Sequence, residues 1–344
     1  MVDSYAPAEL VAEPMSWDKF GPRVGYTASW ATVMGVLYSG KEEIGRIVNG
    51  NVRATPRIGK CIRDLILTRR YAESLGLKKN PLRNDDWVKG GLVWSSPQRG
   101  LDVKFYNRYN DPLASIEDRA GGANIFLEFR NDPRVRLNLK VPAPETAYHL
   151  LTDSAAPNIE AMILPNVSAT GELNVDGKRH HVSARLYIDA VWMNGRKTKW
   201  QFGNVFGDYG RAFYYSKTMQ RDGDGWKTRG VALATDSNGA ERNVWSDFKV
   251  EPKEFQNRPW KVSSTGLDAG FKPDTDSYED PVKRFGLSTL RVEEVLSKAD
   301  VRISEEEPIV GPAFGEFSQL KTRYALSGLG PFVGAVLSRG RRVA

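Results

Sequence analysis

With 344 residues, 40% of them apolar and 26% charged, the chain holds enough apolar side chains for more than one core and too few polar tracts for disorder. Cys61 is the only cysteine, which excludes an internal disulfide and a thiolate metal cage; His149, His180 and His181 are too few and too clustered to suggest a histidine-rich centre, so no metal site is predicted. The net charge is +7, and the nine basic residues against two acidic ones between Arg53 and Arg83 account for that whole excess.

The opening MVDSYAPAELVAEP has acids and prolines where a secretory signal needs a basic start and an apolar core, so a cytoplasmic location is expected. Runs such as FVGAVL fall far short of the roughly 20 apolar residues of a membrane-spanning helix. Trp30, Val33, Met34, Leu37, Ile44 and Val48 recur at spacings of three, four and seven, which predicts helix, with Ser39 and Glu42 as a capping box restarting it after Gly40. A second helix is predicted to open at Thr55-Pro56, to bury Ile58, Ile62, Leu65, Ile66 and Ala72, and to stop at Gly76. Its basic residues read as a solvated face, or as a contact through Arg57, Lys60, Arg63 and Arg70 for an anionic partner or membrane surface. No aromatic interleaving or nucleic-acid motif accompanies them, so no specific nucleic acid is predicted.

From about residue 87 the pattern changes to short alternating segments, among them LDVKFYNRY (101–109), NIFLEFR (124–130) and VRLNLKV (135–141). The proline-bearing PAPETAYHLLTDSAAPN (142–158) is read as an interdomain connection. Beyond it, ATGELNV and KRHHVSARLYI flank Asp176-Gly177, a favoured hairpin turn, and VALAT leads to RNVWSDFKV through Asn238-Gly239. RAFYYSKTM precedes a glycine-rich turn at 222–225. Strands and turns at this spacing predict a mainly β chain of two antiparallel barrel or sandwich domains. The expected division is an N-terminal helical segment over 1–77 packed on the β domains, a first β domain over 78–157 and a second over 158–344.

No phosphate-binding glycine loop and no G-x-S-x-G nucleophile elbow occurs, and GLGPFVG at 328–334, with proline after its second glycine and ten residues following it, is not expected to open a nucleotide fold. Five of nine tryptophans, Trp192, Trp200, Trp226, Trp245 and Trp260, fall in the second half among Tyr187, Phe202 and Tyr214, where they fill a core or line a cavity. Asp189 shares a strand face with Tyr187. Burial there would raise its pKa and make it a general acid; the alternative is a structural carboxylate bonded to backbone amides near Asn194-Gly195. Glu316 in AFGEFSQL and Glu128 in NIFLEFR pose the same question, with a solvent-facing role favoured, and Asp208 is read as a turn residue.

The run LPNVSATGELNVDGKRHHVSARLYIDAVWMNGRKTKWQFG (164–203) resembles the two-domain lipocalin-like superfamily that includes carotenoid 1,2-hydratases (hydroxyneurosporene synthases), AttH-like proteins and fungal decalin-forming Diels–Alderases. Pro165, Gly171, Asp176, Gly177, Tyr187, Asp189, Trp192, Trp200 and Gly203 carry the likeness, and RPWKVSS (258–264) and AFGEF (313–317) extend it. Where relatives often show Asp-His-x-Trp, this chain has Asp189-Ala190-Val191-Trp192, without the histidine. The resemblance implies that the second domain is lipocalin-like. It also implies a pocket between two β domains for a hydrophobic terpenoid, polyketide or lipid, without an organic cofactor. The resulting expectation is a cofactor-independent hydratase, cyclase or isomerase in which Asp189 protonates or polarises substrate and Tyr187 assists. Trp192, Trp200, Phe202, Tyr214 and Glu316 would contact substrate. The alternatives are a non-catalytic binder or carrier of an apolar ligand and a virion or assembly protein.

Overall fold

The computed structural model describes residues 4–20, 28–53, 59–88, 92–96, 100–107, 109–119, 122–130, 133–151, 159–193, 197–222, 225–252, 258–274, 279–285 and 288–322. In chain order the strands are β1 (Ser4–Pro7), β2 (Glu9–Pro14), β3 (Ala28–Ser39), β4 (Glu42–Arg53), β5 (Gly59–Leu67), β6 (Leu82–Val88), β7 (Leu92–Ser96), β8 (Gly100–Tyr106), β9 (Pro112–Arg119), β10 (Gly122–Phe129), β11 (Val135–Pro142) and β12 (Thr146–Leu151). They continue as β13 (Ile159–Val175), β14 (Lys178–Met193), β15 (Lys197–Phe206), β16 (Ala212–Asp222), β17 (Gly225–Thr235), β18 (Glu241–Trp245), β19 (Lys249–Glu251), β20 (Trp260–Ser264), β21 (Leu267–Pro273), β22 (Glu279–Phe285), β23 (Ser288–Ile303) and β24 (Ile309–Thr322). One short helix, α1 (Arg69–Ser74), follows β5.

The strands form two sheets. The 13-stranded sheet runs β6-β5-β4-β3-β14-β13-β11-β10-β9-β8-β7, with β12 on β13 and β2 on β12; the 11-stranded sheet runs β1-β17-β16-β15-β24-β23-β21-β20-β19, with β18 on β17 and β22 on β23. Neighbours are antiparallel except β1, which lies parallel to β17. The mainly β fold with two antiparallel barrel-like sheets is thus as the alternating pattern predicts.

The predicted N-terminal helices are a misreading. Residues 28–53 form the β3–β4 hairpin and 59–67 the strand β5; Ser39 ends β3 opposite Glu42, and Gly40, at φ +61°, and Lys41 make the hairpin turn where a helix cap was expected. The cause is burial on both faces of β3. Val33 and Leu37 point into the first sheet's own core and Met34 and Val36 into the layer between the sheets, so apolar residues run on without alternating and meet helical spacings by coincidence. Only the end of the predicted second helix exists: α1 closes with Leu75 as C-cap and Gly76 at φ +70°. Thr55, Pro56, Arg57 and Ile58 lie outside the described residues.

The predicted connection at 142–158 also differs, because it contains β12, which pairs with both β13 and β2 and belongs to the first sheet. The chain passes between sheets after Met193 at the end of β14 and before Lys197 at the start of β15. The Asp176-Gly177 turn is as expected, with both residues at positive φ (49° and 85°).

Strand alternation sorts the side chains into three apolar layers. One fills the first sheet, with Leu137, Leu186, Ile188 and Trp192; a second fills the other sheet, with Val205, Phe213, Tyr215, Trp260 and Phe271. The third lies where the sheets meet and holds Tyr187, Val191, Trp200, Phe202, Phe206, Tyr214 and Phe314.

Candidate active site between the two sheets

Residues 187 and 189 lie two apart on β14, so the pleat sends both side chains to the layer between the sheets. Asp189 is 4% exposed. Its Oδ1 accepts the backbone N–H of Thr32 on the adjacent strand β3 at 3.1 Å, and its Oδ2 accepts the Tyr187 hydroxyl at 2.7 Å. An amide bonded to Asp189 thus comes from β3; Asn194 and Gly195 lie outside the described residues. The carboxyl is both hydrogen-bonded and buried. Burial pushes its pKa from 3.8 up to about 7; the Tyr187 and Thr32 hydrogen bonds pull it back, and the nearby Glu316 charge adds to the rise. An acid with that affinity holds a usable proton near neutrality. Burial, followed by the charge of Asp189, also raises the Tyr187 phenol well above its usual range, keeping it a hydrogen-bond donor to Asp189.

The second sheet supplies the facing wall. The Tyr187 ring stacks on Phe202 of β15, with centroids 5.6 Å apart, and on Tyr214 of β16 at 5.8 Å. Glu316 of β24 lies across from Phe202, and its Oε1 accepts the Trp200 indole N–H at 2.6 Å. Glu316 is half-buried while Asp189 is enclosed.

Of the predicted site residues, Asp189, Tyr187, Trp200, Phe202, Tyr214 and Glu316 come together. Trp192 does not. It sits three positions from Asp189, on the opposite face of β14, and packs in the first sheet's own core. Glu128 is fully buried instead of solvent-facing, and it is ringed on the outer face of the first sheet by Arg130, Arg134 and Arg136. Among the predicted partner contacts, Arg63 points into the first sheet's core, paired with Asp86 and donating to the Leu113 carbonyl at 3.1 Å, so no partner reaches it. Arg70 is exposed and lies 3.8 Å from Glu42. Arg57 and the side chain of Lys60 lie outside the described residues.

Sequence reading missed two groups that face this layer. Thr32 sits in the stretch read as helix. Asn204 follows Trp200 and Phe202 and precedes Phe206 on one face of β15, a polar residue in an otherwise aromatic register, and that break in the pattern is the signal that marks it. A concavity of about 990 Å³ lies elsewhere, along the outer face of the first sheet beside Tyr106, Asn124, Phe126 and Asn138, and none of the predicted site residues lines it. Among the described residues, no group of three or more His, Cys, Asp and Glu side chains is arranged to hold a metal ion, and no helix is long and apolar enough to cross a membrane.

No family model matches the chain, and no curated protein matches it in sequence. Solved structures do. A putative AttH from Nitrosomonas europaea superposes with a TM-score of 0.59 at 14% identity, over 89% of this chain and 96% of that one. Kievitone hydratase from Nectria haematococca gives 0.53 at 13% identity, over 88% and 92%. CghA with Sch210972 gives 0.58 at 11%, over 93% and 96%. The chain shares with these proteins the two-domain lipocalin-like β fold.

Proposed function

We propose that the protein is a cofactor-independent hydratase or cyclase acting on a hydrophobic alkene or enone held in the layer between the two sheets. The observation that carries this reading is the enclosed Asp189 carboxyl, its pKa raised to about 7 by burial and its oxygens held by Tyr187 and Thr32 instead of a salt-bridge partner. Its structural neighbours include a hydratase, which supports the reading at the level of fold.

In a hydration, Asp189 delivers its proton to one alkene carbon and the electron pair of the double bond forms the new C–H bond. The faces of Phe202, Tyr187 and Tyr214 stabilise the cation left on the neighbouring carbon. The Tyr187 hydroxyl and the Thr32 amide stabilise the carboxylate that the transfer creates. Water entering along Glu316 attacks the cation and passes its extra proton to that carboxyl group, so that one water is added across the double bond. In a cyclisation the nucleophile is a second double bond of the same substrate folded against the rings, and the new cation this leaves returns a proton to the Asp189 carboxylate to give an isomer; orientation alone then supplies several kcal/mol.

The test incubates the protein with a panel of polyprenyl and polyketide alkenes in oxygen-18 water and reads the products by mass spectrometry. Products heavier by one labelled water, or isomers of unchanged mass, are expected with the native protein and absent with Asp189→Asn, whose circular dichroism should match the native spectrum. Turnover that survives Asp189→Asn removes this residue from the mechanism. Tight retention of an unaltered substrate by both proteins would mean carriage in place of catalysis.

A further inference from the structure

Asn204 is fully buried, and neither its side-chain oxygen nor its nitrogen has a hydrogen-bond partner. An unpartnered buried carboxamide is a net cost to folding, because it leaves water and gains nothing in return. An apolar residue of similar size would satisfy the same position in β15, where Trp200 and Phe202 precede it and Phe206 follows it on that face, with Thr198 at the start of the strand.

Its location gives the amide a use. Asn204 lies directly across from Tyr214 on one side and from Phe314 on the other. Tyr214 stacks on Tyr187, the donor to Asp189. The orphaned amide and the buried acid thus share one layer with stacked rings between them. Two other polar groups of the layer are engaged: Trp200 with Glu316, and Tyr148 with the Gly239 carbonyl at 2.6 Å.

We infer that Asn204 is a specificity-determining residue that binds the head group of the substrate, and that this head is neutral and presents a hydrogen-bond acceptor beside a donor, as a carboxamide or lactam does. A carboxamide offers one acceptor and two donors in a plane, and its complement is another amide-like edge: Nδ2–H donates to the ligand carbonyl and Oδ1 accepts from the ligand N–H. An anionic head is disfavoured, because Asp189 and Glu316 already place two acids in the layer and the nearby buried cation, Arg46, is held by Glu43 and Asp274. The assignment rests on the proposed function only in taking the layer between the sheets as the ligand site.

The test uses displacement of N-phenyl-1-naphthylamine by two probes of equal chain length, decanamide and methyl decanoate, the second of which lacks the N–H. The native protein should prefer the amide by about tenfold. Asn204→Leu should erase that preference while still binding the ester, and should raise the unfolding midpoint of the ligand-free protein by about 2 °C. Asn204→Ala, which adds no bulk, must show the same loss of preference if the leucine variant does not fold. Binding of both probes without an amide preference, or a preference that survives both substitutions, overturns the role of Asn204 and leaves the apolar site intact. A native protein that binds neither probe overturns the role together with the site.

Discussion

Asp189 is costly to the fold, and its cost depends on pH in a defined direction. Its pKa is about 7 in the folded chain against 3.8 when free, so the folded state holds the proton more tightly than the unfolded state. The stability contributed by that proton is fully present below about pH 4 and is lost as pH rises through 7. At pH 8 the penalty approaches on the order of 4 kcal/mol, since each unit of pKa difference is worth about 1.4 kcal/mol. Asparagine carries no such proton. It still offers an oxygen to the Thr32 amide or the Tyr187 hydroxyl. Urea titrations of the native protein and Asp189→Asn at pH 5 and pH 8 should therefore show the variant gaining stability relative to the native chain as pH increases. Equal differences at both values would mean that the carboxyl is hydrated and that its affinity for protons is ordinary. A group retained at such a cost is explained by chemistry and not by folding, and the same holds for the unpartnered amide of Asn204.

Between neighbouring elements, the contrast of two hairpins explains what the sequence discloses. The β13–β14 turn was legible because Asp176 and Gly177 both require positive φ, the geometry that matches the twist of paired strands, and because β14 alternates exposed and buried positions at its start. Gly177 sits at φ +85° with open space where a side chain would go, so strain and not collision limits its replacement. Gly177→Ala should lower stability by about 1–2 kcal/mol, and Gly177→Asn by less, because asparagine tolerates the left-handed region; chemical denaturation of the two variants checks the order. The β3–β4 hairpin carried no such marker. Its apolar residues serve two layers at once, and only the β-branched run Thr32, Val33, Val36, Ile44, Ile47 and Val48 distinguished it from a buried helix. That error concealed Thr32, the backbone partner of the acid. Trp192 was misplaced for a simpler reason: an odd spacing from Asp189 along a strand puts it on the other face.

At the scale of the whole molecule, the two sheets are joined by more than the passage from β14 to β15. The N-terminal segment pairs first with β17 of one sheet and then with β12 of the other, so its strands span both. Side chains reinforce the joint at its rim: Asn166 donates to the Gly210 carbonyl at 2.7 Å, and Arg185 donates to that of Gly207. Arg46 is the most enclosed of these links, 6% exposed, with Nε on Glu43 of its own strand at 2.8 Å and Nη1 reaching across to Asp274 at 2.8 Å and to the Ser297 carbonyl at 3.2 Å. A site formed by facing sheets works only if those sheets keep their distance, and this buried guanidinium fixes the spacing at one edge. Arg46→Met keeps the aliphatic stem and deletes the charge. Glu43 and Asp274 are partly exposed and can rehydrate, so the cost should be about 1–3 kcal/mol, below that of stranding a fully buried ion. Because the apolar layer is continuous across both sheets, tryptophan fluorescence and far-ultraviolet circular dichroism should still report one shared transition at a lower urea midpoint. Two separated transitions in the variant would show that Arg46, and not the aromatic layer, couples the sheets.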